Sequence, residues 1–144
     1  MSKVIKLKKG LDIKLKGEAE NVVKNVEKCN LYAVKPTDFR LLTPKLAVKV
    51  GDQVKAGDVL FINKYRPEVK FTAPVSGTIE AVNRGERRKL LEVVVKADDQ
   101  IQYRDFGSAD ANQLSRKEII EKLLDSGVWP MIKQRPYDII ANPE

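Results

Sequence analysis

The segment Val50-Gly51-Asp52-Gln53-Val54 is followed six residues later by Ala56-Gly57-Asp58-Val59-Leu60, so one Gly-Asp unit with apolar flanks occurs twice in succession. Glycine accepts a positive φ and aspartate bonds nearby backbone amides, so each unit predicts a tight turn. A further turn is predicted in Ala73-Pro74-Val75-Ser76-Gly77-Thr78-Ile79. The predicted turn residues are Gly51, Asp52, Gly57, Asp58, Pro74 and Gly77.

Short apolar segments rich in Val, Ile and Leu surround these turns and predict β-strands separated by Gly, Pro and Asp breaks. The predicted strands are Val4–Leu7, Leu11–Leu15, Leu31–Val34, Leu46–Val50, Val59–Ile62, Val69–Thr72, Thr78–Val82 and Leu90–Lys96. Residues 17–30 have a broken apolar pattern that is ambiguous, with a loop as one interpretation. Strands at intervals of about ten residues are typical of a small barrel or sandwich.

One helix is predicted after the strands. Ser115 and Glu118 form a capping-box pattern at its start, and Gly127 follows its last periodic residue. Its apolar residues share one stripe, which is expected to pack against the rest of the molecule. Beyond it, Trp129 and Tyr137 have no predicted partner, and the chain stops in a Pro-containing stretch. We therefore expect a chain cut at a linker.

This pattern predicts two parts. Residues 1–107 form a β-rich, barrel-sandwich-like domain whose repeat core is 45–96, and residues 108–144 form a helix and linker leading to a domain outside this chain. The predicted fold class is mainly β, with a minor α+β character from the C-terminal helical extension. A chain of 144 residues is long enough for one ordinary core.

Composition excludes several classes of protein and of site. The chain has no histidine and one cysteine, Cys29, so it cannot form an internal disulfide or hold an iron–sulfur cluster on its own residues. The lack of imidazole also removes the commonest acid–base group. No apolar stretch is long enough to span a membrane, and the first residues lack the apolar core of a signal peptide.

The net charge of +7 is concentrated in residues 1–50, which carry 12 basic and 5 acidic side chains. Lysines alternate there with apolar residues, a pattern that fits either a basic face for an anionic partner or a solvated edge strand. The aromatic residues are scattered and form no base-stacking platform. We therefore expect no nucleic-acid partner, although a nucleic-acid-binding barrel is an open alternative.

The Gly-Asp repeat and the Pro-x-x-Gly turn of residues 45–96 resemble biotinyl and lipoyl carrier domains, which are barrel-sandwich hybrids. Such domains place the modified lysine at a hairpin tip, which here corresponds to Ile62–Pro67 with Lys64. Lys64 lacks both the Met-Lys-Met and the Asp-Lys-Ala context of acceptor lysines. No covalent biotin or lipoate is therefore expected, and Lys64 is interpreted as an exposed lysine in a wide hairpin.

A second resemblance spans nearly the whole chain, with segments in the same order and at similar spacing. These segments are Lys8–Ile13, Val48–Phe61, Val69–Thr78, Val82–Arg88, Gly127–Trp129 and Arg135–Tyr137. They resemble the A subunits of sodium-translocating NADH:quinone reductases. Two segments depart from that family: Lys14-Leu15-Lys16-Gly17 lacks its usual proline, and Asn63-Lys64 replaces its common Asp-Lys.

The resemblance implies the N-terminal region of a longer, peripheral subunit on the cytoplasmic side of the bacterial inner membrane. Its partners would be other subunits of a complex that uses NADH, ubiquinone, flavins and an iron–sulfur centre, with quinone as a ligand of the full-length subunit. The segment itself is expected to carry no catalytic residue, cofactor or metal. Alternatives are a carrier-like module and the related iron–sulfur subunit of an ion-translocating electron transport complex.

The expected role of this segment is therefore assembly, or a function at the quinone end of the pathway. Surface cations are the side chains best suited to contact acidic partner loops or lipid headgroups, although a charged turn is often merely solvated. The candidate partner contacts are Lys64, Arg84, Arg87, Arg88 and Lys89.

Overall fold

A computed structural model describes residues 4–6, 10 and 16–143. The strands are β1 (Leu31–Val34), β2 (Pro44–Leu46), β3 (Gln53–Val54), β4 (Val59–Asn63), β5 (Lys70–Thr72), β6 (Gly77–Arg84), β7 (Leu90–Ala97), β8 (Lys133–Gln134) and β9 (Ile139–Ile140). The helix α1 is Arg116–Asp125, and short 3₁₀ turns span Pro36–Asp38, Glu86–Arg88 and Trp129–Met131.

The strands form three antiparallel sheets within the described residues. The largest has the order β1-β7-β6-β3, the second has the order β2-β4-β5, and β8 pairs with β9. Val34 at the end of β1 lies opposite Val93 of β7, so the loop after β1 starts beside the β6–β7 hairpin. The register of β6 and β7 shifts twice, which is typical of β-bulges that bend a small sheet.

The core lies between the two larger sheets. Leu60 and Phe61 of β4, Ile79 of β6, and Val93 and Val95 of β7 belong to one core cluster, and all five side chains are almost fully buried. Inward residues alternate with exposed ones along β7, as expected for strands with one solvated face. The strand pattern therefore places one apolar face of each sheet inside.

The two Gly-Asp units make the same hydrogen bonds. The carboxylate of Asp52 accepts from the backbone N–H of Lys49 at 2.9 Å, and that of Asp58 accepts from Lys55 at 2.7 Å. Each turn closes with a backbone bond in the opposite direction, from the aspartate N–H to the lysine carbonyl. Gly51 takes a φ of +91°, as such a turn requires.

Several strand predictions differ from the structure at their ends. Leu46–Val50 is wrong as a strand, because β2 ends at Leu46 and residues 47–50 lead into the first Gly-Asp turn. Residues 18–29 form neither helix nor strand, so the structure agrees with the loop interpretation of this ambiguous segment. Residues 4–6 belong to no strand, whereas Leu7 and the predicted strand Leu11–Leu15 lie outside the described residues.

The helix α1 has the predicted capping box. The Ser115 hydroxyl accepts from the Glu118 N–H, and the Glu118 carboxylate accepts from the Ser115 hydroxyl at 2.6 Å and its backbone N–H at 2.8 Å. The hydroxyl bond first, and the backbone bond second, lower the pKa of Glu118. At the other end, Val128 N–H donates to the Leu123 carbonyl at 3.1 Å, which terminates the helix in a Schellman arrangement.

The segment after α1 packs on the β-structure, which corrects the prediction that Trp129 has no partner. Trp129 is 7% exposed, belongs to the main core cluster and donates its indole N–H to the Ala141 carbonyl at 2.9 Å. Ile140 of β9 is buried in the same cluster. Tyr137 is 66% exposed. The residues between these two apolar anchors make a short hairpin that returns the chain to the core.

Candidate functional site

A cleft of about 500 Å³ opens where the loop from Pro36 to Pro44 faces the hairpin between β6 and β7. Pockets that take small ligands usually have volumes of about 300–1,000 Å³. We call it the basic cleft. Its lining residues are Pro36, Thr37, Phe39, Arg40, Leu41, Leu42, Thr43, Pro44, Arg84, Arg88, Lys89 and Leu90.

One wall is the hairpin turn from Gly85 to Lys89. Gly85 N–H donates to the Lys89 carbonyl at 2.9 Å, and the Arg84 guanidinium donates to the Arg88 carbonyl at 3.1 Å. Arg87 and Arg88 both have positive φ, of 52° and 61°, a conformation that is uncommon for residues other than glycine. The guanidinium of Arg84 therefore stabilises the turn that carries Arg87, Arg88 and Lys89.

The opposite wall is the loop that links β1 to β2. It starts with the 3₁₀ turn Pro36–Asp38, and Phe39 N–H donates to the Pro36 carbonyl at 3.2 Å. The Phe39 ring contacts the Phe71 ring edge-on, with centroids 4.8 Å apart, which joins this wall to the core. Arg40 forms a β-bridge with Ile139. Leu41 follows with a φ of +59° and is 86% exposed at the rim of the cleft.

Charge in the basic cleft is of one sign. Arg40, Arg84, Arg88 and Lys89 line it, and no carboxylate is among the lining residues. None of these four cations forms a salt bridge with any residue that the structure describes. Cations facing one another across a concave surface focus a positive potential, so the cleft is suited to an anion.

Of the five candidate partner contacts, the structure brings three together. Arg84, Arg88 and Lys89 line the basic cleft, whereas Arg87 belongs to the same turn but not to the lining. Lys64 lies in the β4–β5 hairpin, and its backbone N–H donates to the carbonyl of Thr43 at 2.8 Å. Because Thr43 lines the cleft, the Lys64 hairpin adjoins the same end of the molecule.

The predicted turn residues lie elsewhere. Gly51, Asp52, Gly57 and Asp58 occupy the turns that flank β3, and the Pro74–Gly77 turn leads into β6. None of them lines the basic cleft. Their position fits a role in chain reversal.

Sequence reasoning missed Arg40 and Leu41. Arg40 is an isolated arginine in a loop, and neither periodicity nor a motif relates it to the distant Arg88. The only local signal is Pro36, which ends β1 and predicts that the chain turns there. Arg40 lies across the cleft from the β6–β7 hairpin because the register of β1 with β7 places the loop after β1 beside that hairpin.

The described residues contain no group of three or more Cys, Asp or Glu side chains placed to hold a metal ion. Among the same residues, no helix has both the length and the apolar character that a membrane crossing needs. Cys29 is exposed.

Comparison with known proteins agrees with this architecture. Residues 5–98 match the family described as the NqrA N-terminal barrel-sandwich hybrid domain. The chain belongs to this family. Residues 114–144 match the NqrA second alpha/beta domain. The barrel-sandwich hybrid predicted from the Gly-Asp repeat is thus confirmed.

Relatives of this NqrA-family chain are named as the A subunit of Na(+)-translocating NADH-quinone reductase. The protein from Hahella chejuensis is 38% identical over 136 residues, which is 93% of this chain and 30% of the relative. That from Haemophilus influenzae strain PittEE is 37% identical over 143 residues, covering 98% and 32%. That from Yersinia pseudotuberculosis is 40% identical over 136 residues, covering 93% and 30%. The chain thus spans about a third of the length of these relatives.

Proposed function

We propose that this chain is the N-terminal domain of a peripheral NqrA subunit in a sodium-pumping NADH:quinone reductase. The observation that carries the proposal is the family match over residues 5–98, in a chain whose relatives bear the name of that subunit. In this role the domain takes part in electron transport coupled to sodium transport as one part of an oxidoreductase complex.

The proposed role of the domain within the complex is assembly, or support of a quinone-side function of the longer subunit. The chain has no histidine and a single cysteine, so its own residues are poorly suited to redox or acid–base chemistry. NADH, ubiquinone, flavins and an iron–sulfur centre are assigned to the rest of the complex. The residues of this domain would act by binding its neighbours.

The proposed location is the cytoplasmic face of the bacterial inner membrane, with the other subunits as partners. The cationic end of the molecule supports this placement. Arg84, Arg88 and Lys89 are exposed and form no salt bridge with a described residue, and Lys64 adjoins them through Thr43. Exposed cations of this kind are available for contacts with acidic groups on a neighbour.

Charge reversal in the full-length subunit tests this proposal. Arg84→Glu, Arg87→Glu and Arg88→Glu together, expressed with the other subunits, should weaken retention of the subunit on membranes and its co-purification with the complex. Rim charges act on association, so a loss of about tenfold or more in recovered subunit is expected.

A matched control places the same charge change at the other end of the sheet. The control variant combines Lys49→Glu, Lys55→Glu and Lys96→Glu. These lysines lie near the start of β6 and the end of β7, away from the hairpin that joins the two strands, since Lys96 pairs with Thr78. This variant should co-purify normally. Unchanged co-purification of the Arg84, Arg87 and Arg88 variant would contradict the docking role.

A further inference from the structure

Two kinds of side chain meet at the basic cleft, namely cations without a salt bridge to a described residue and the exposed aliphatic Leu41, and the exposed Tyr65 lies on the adjoining β4–β5 hairpin. We infer that this end of the molecule binds anionic phospholipid, with a headgroup phosphate in the cleft between Arg40, Arg88 and Lys89. Leu41 and Tyr65 then enter the interfacial layer beside it. This inference goes beyond the proposed function, because it requires no other subunit.

The cations come from both walls of the cleft. Arg40 belongs to the loop before β2, whereas Arg88 and Lys89 belong to the β6–β7 hairpin, so an anion between them is contacted from two sides. Arginine presents several N–H donors in a planar fork that matches phosphate oxygens. With no carboxylate in the lining, no acidic side chain in the cleft competes for these donors.

Leu41 is held outward at a conformational cost. Its φ of +59° is unfavourable for a residue with a branched side chain, and its side chain is 86% exposed. The flanking residues hold the loop in place, since Arg40 bridges to Ile139 and Leu42 N–H donates to the Phe39 carbonyl. Leu41 projects beside four cations. Transfer of its aliphatic side chain from water into a bilayer interface lowers the free energy, and therefore favours binding.

Tyr65 lies on the neighbouring β4–β5 hairpin and is 75% exposed. Its backbone N–H donates to the Asn63 side chain at 3.0 Å, and the preceding Lys64 is bonded to Thr43 in the cleft wall. The hairpin is thereby fixed to the cleft. Tyrosine favours the headgroup level of a membrane, where its ring is apolar and its hydroxyl is hydrated.

This arrangement favours a lipid surface over an acidic peptide. The apolar groups sit on two separate loops, Leu41 in the lining of the cleft and Tyr65 on the adjoining hairpin, and both side chains are more exposed than buried. Anionic headgroups meet such cations at the depth where the apolar tips reach the acyl boundary. An acidic peptide would be recognised by the arginines alone, and it would not require the exposed aliphatic and tyrosine side chains beside them.

The test is flotation of the protein with vesicles made of equal parts phosphatidylglycerol and phosphatidylcholine. The protein should float with these vesicles and not with vesicles of phosphatidylcholine alone. Arg88→Glu with Lys89→Glu should reduce the apparent affinity by at least about 25-fold, because each basic residue near an anionic surface contributes about fivefold. The control, Lys55→Glu with Lys96→Glu, carries the same net charge and should bind normally.

A second variant separates lipid contact from folding. Leu41→Asn removes the aliphatic side chain while keeping a residue that tolerates positive φ, so the fold should be as stable as before in urea. Its vesicle binding should still fall by about threefold or more. Equal binding to neutral vesicles, equal loss in the control variant, or binding to polyglutamate without binding to anionic vesicles would each overturn the inference.

Discussion

Gly77 is the first residue of β6 and pairs with Ala97 of β7. A Cβ atom at this position would lie 1.9 Å from the carbonyl oxygen of Lys96, which is backbone and cannot rotate away. Gly51 is a different case, because its φ is +91° but a Cβ there would meet no atom within 4 Å. Both glycines have a positive φ, of +156° at Gly77 and +91° at Gly51, but only Gly77 is also required by the close approach of two strands.

Substitution of these glycines should therefore have unequal effects. Gly77→Ala should lower the free energy of unfolding by about 3 kcal/mol, because the two strands must separate to admit the methyl group. Gly51→Ala, the matched control, should cost about 1 kcal/mol from the turn conformation alone. Urea unfolding followed by circular dichroism measures both. Equal losses would show that the turn conformation, and not strand contact, determines the cost.

At the scale of elements, α1 is joined to the β-structure by apolar and ionic contacts. Ile120, Leu123 and Leu124 pack against the core cluster, which confirms that the predicted apolar stripe has a partner. Asp125, the last residue of α1, accepts a hydrogen bond from the ammonium group of Lys70 in β5. This bond is the first cause that lowers the pKa of Asp125, and the charge of Lys70 is the second.

The lowered pKa predicts a pH-dependent contribution to stability. A carboxyl whose pKa is lower in the folded state stabilises the fold above its unfolded pKa, near 4, and loses that effect as pH falls through the folded value. Asp125→Asn should therefore cost about 0.5 kcal/mol at neutral pH, a small value because its side chain is 65% exposed. The cost should vanish at about pH 2.

The control for this pair is a double-mutant cycle. Lys70→Met and Asp125→Asn together should cost less at neutral pH than the sum of their separate costs, because both substitutions remove the same contact. Urea unfolding at the two pH values provides all four stabilities. A cost of Asp125→Asn that does not change between them would contradict the ionic coupling.

At the scale of the whole molecule, Trp129 links the segment after α1 to the β-structure. It is the single tryptophan of the chain, and it lies in the same core cluster as Leu60 and Val93. Two family descriptions nevertheless match the chain, over 5–98 and 114–144. The division into parts at 107 and 108 is a prediction from sequence that requires a measurement.

Cooperativity provides this measurement. The urea transition followed by Trp129 fluorescence should coincide with the transition followed by far-ultraviolet circular dichroism. The reason is that Trp129 and the buried residues of the strands belong to one core cluster. Trp129→Ala should lower the free energy of unfolding by about 4 kcal/mol. A fluorescence transition at clearly lower urea would show that the C-terminal segment unfolds as a separate part.

The basic cleft shows why charge along the sequence does not locate a site. The first fifty residues hold 12 basic and 5 acidic side chains, and the next fifty hold 9 and 8. Three of the four cleft cations, Arg84, Arg88 and Lys89, nevertheless come from that nearly neutral second stretch. A count of charges along the sequence gives the excess of basic residues in each stretch. The position of an anion site depends instead on which cations the fold brings close together.

Local interactions could be predicted from the amino-acid sequence without a structure. The Gly-Asp turns, the capping box of Ser115 and Glu118 and the family resemblance depend on residues a few positions apart or on order along the chain. Turns and caps form from near neighbours, so their residue types carry the information. The β-rich fold class could be predicted for the same reason, because strand periodicity is local.

Contacts between distant segments became visible only in the folded molecule. The meeting of Arg40 with Arg88, the burial of Trp129 and the close approach at Gly77 depend on register and packing between segments far apart in the chain. A one-residue change of register would move every side chain of a strand to its opposite face. The pairing of β1 with β7 therefore decides that the two walls of the basic cleft meet.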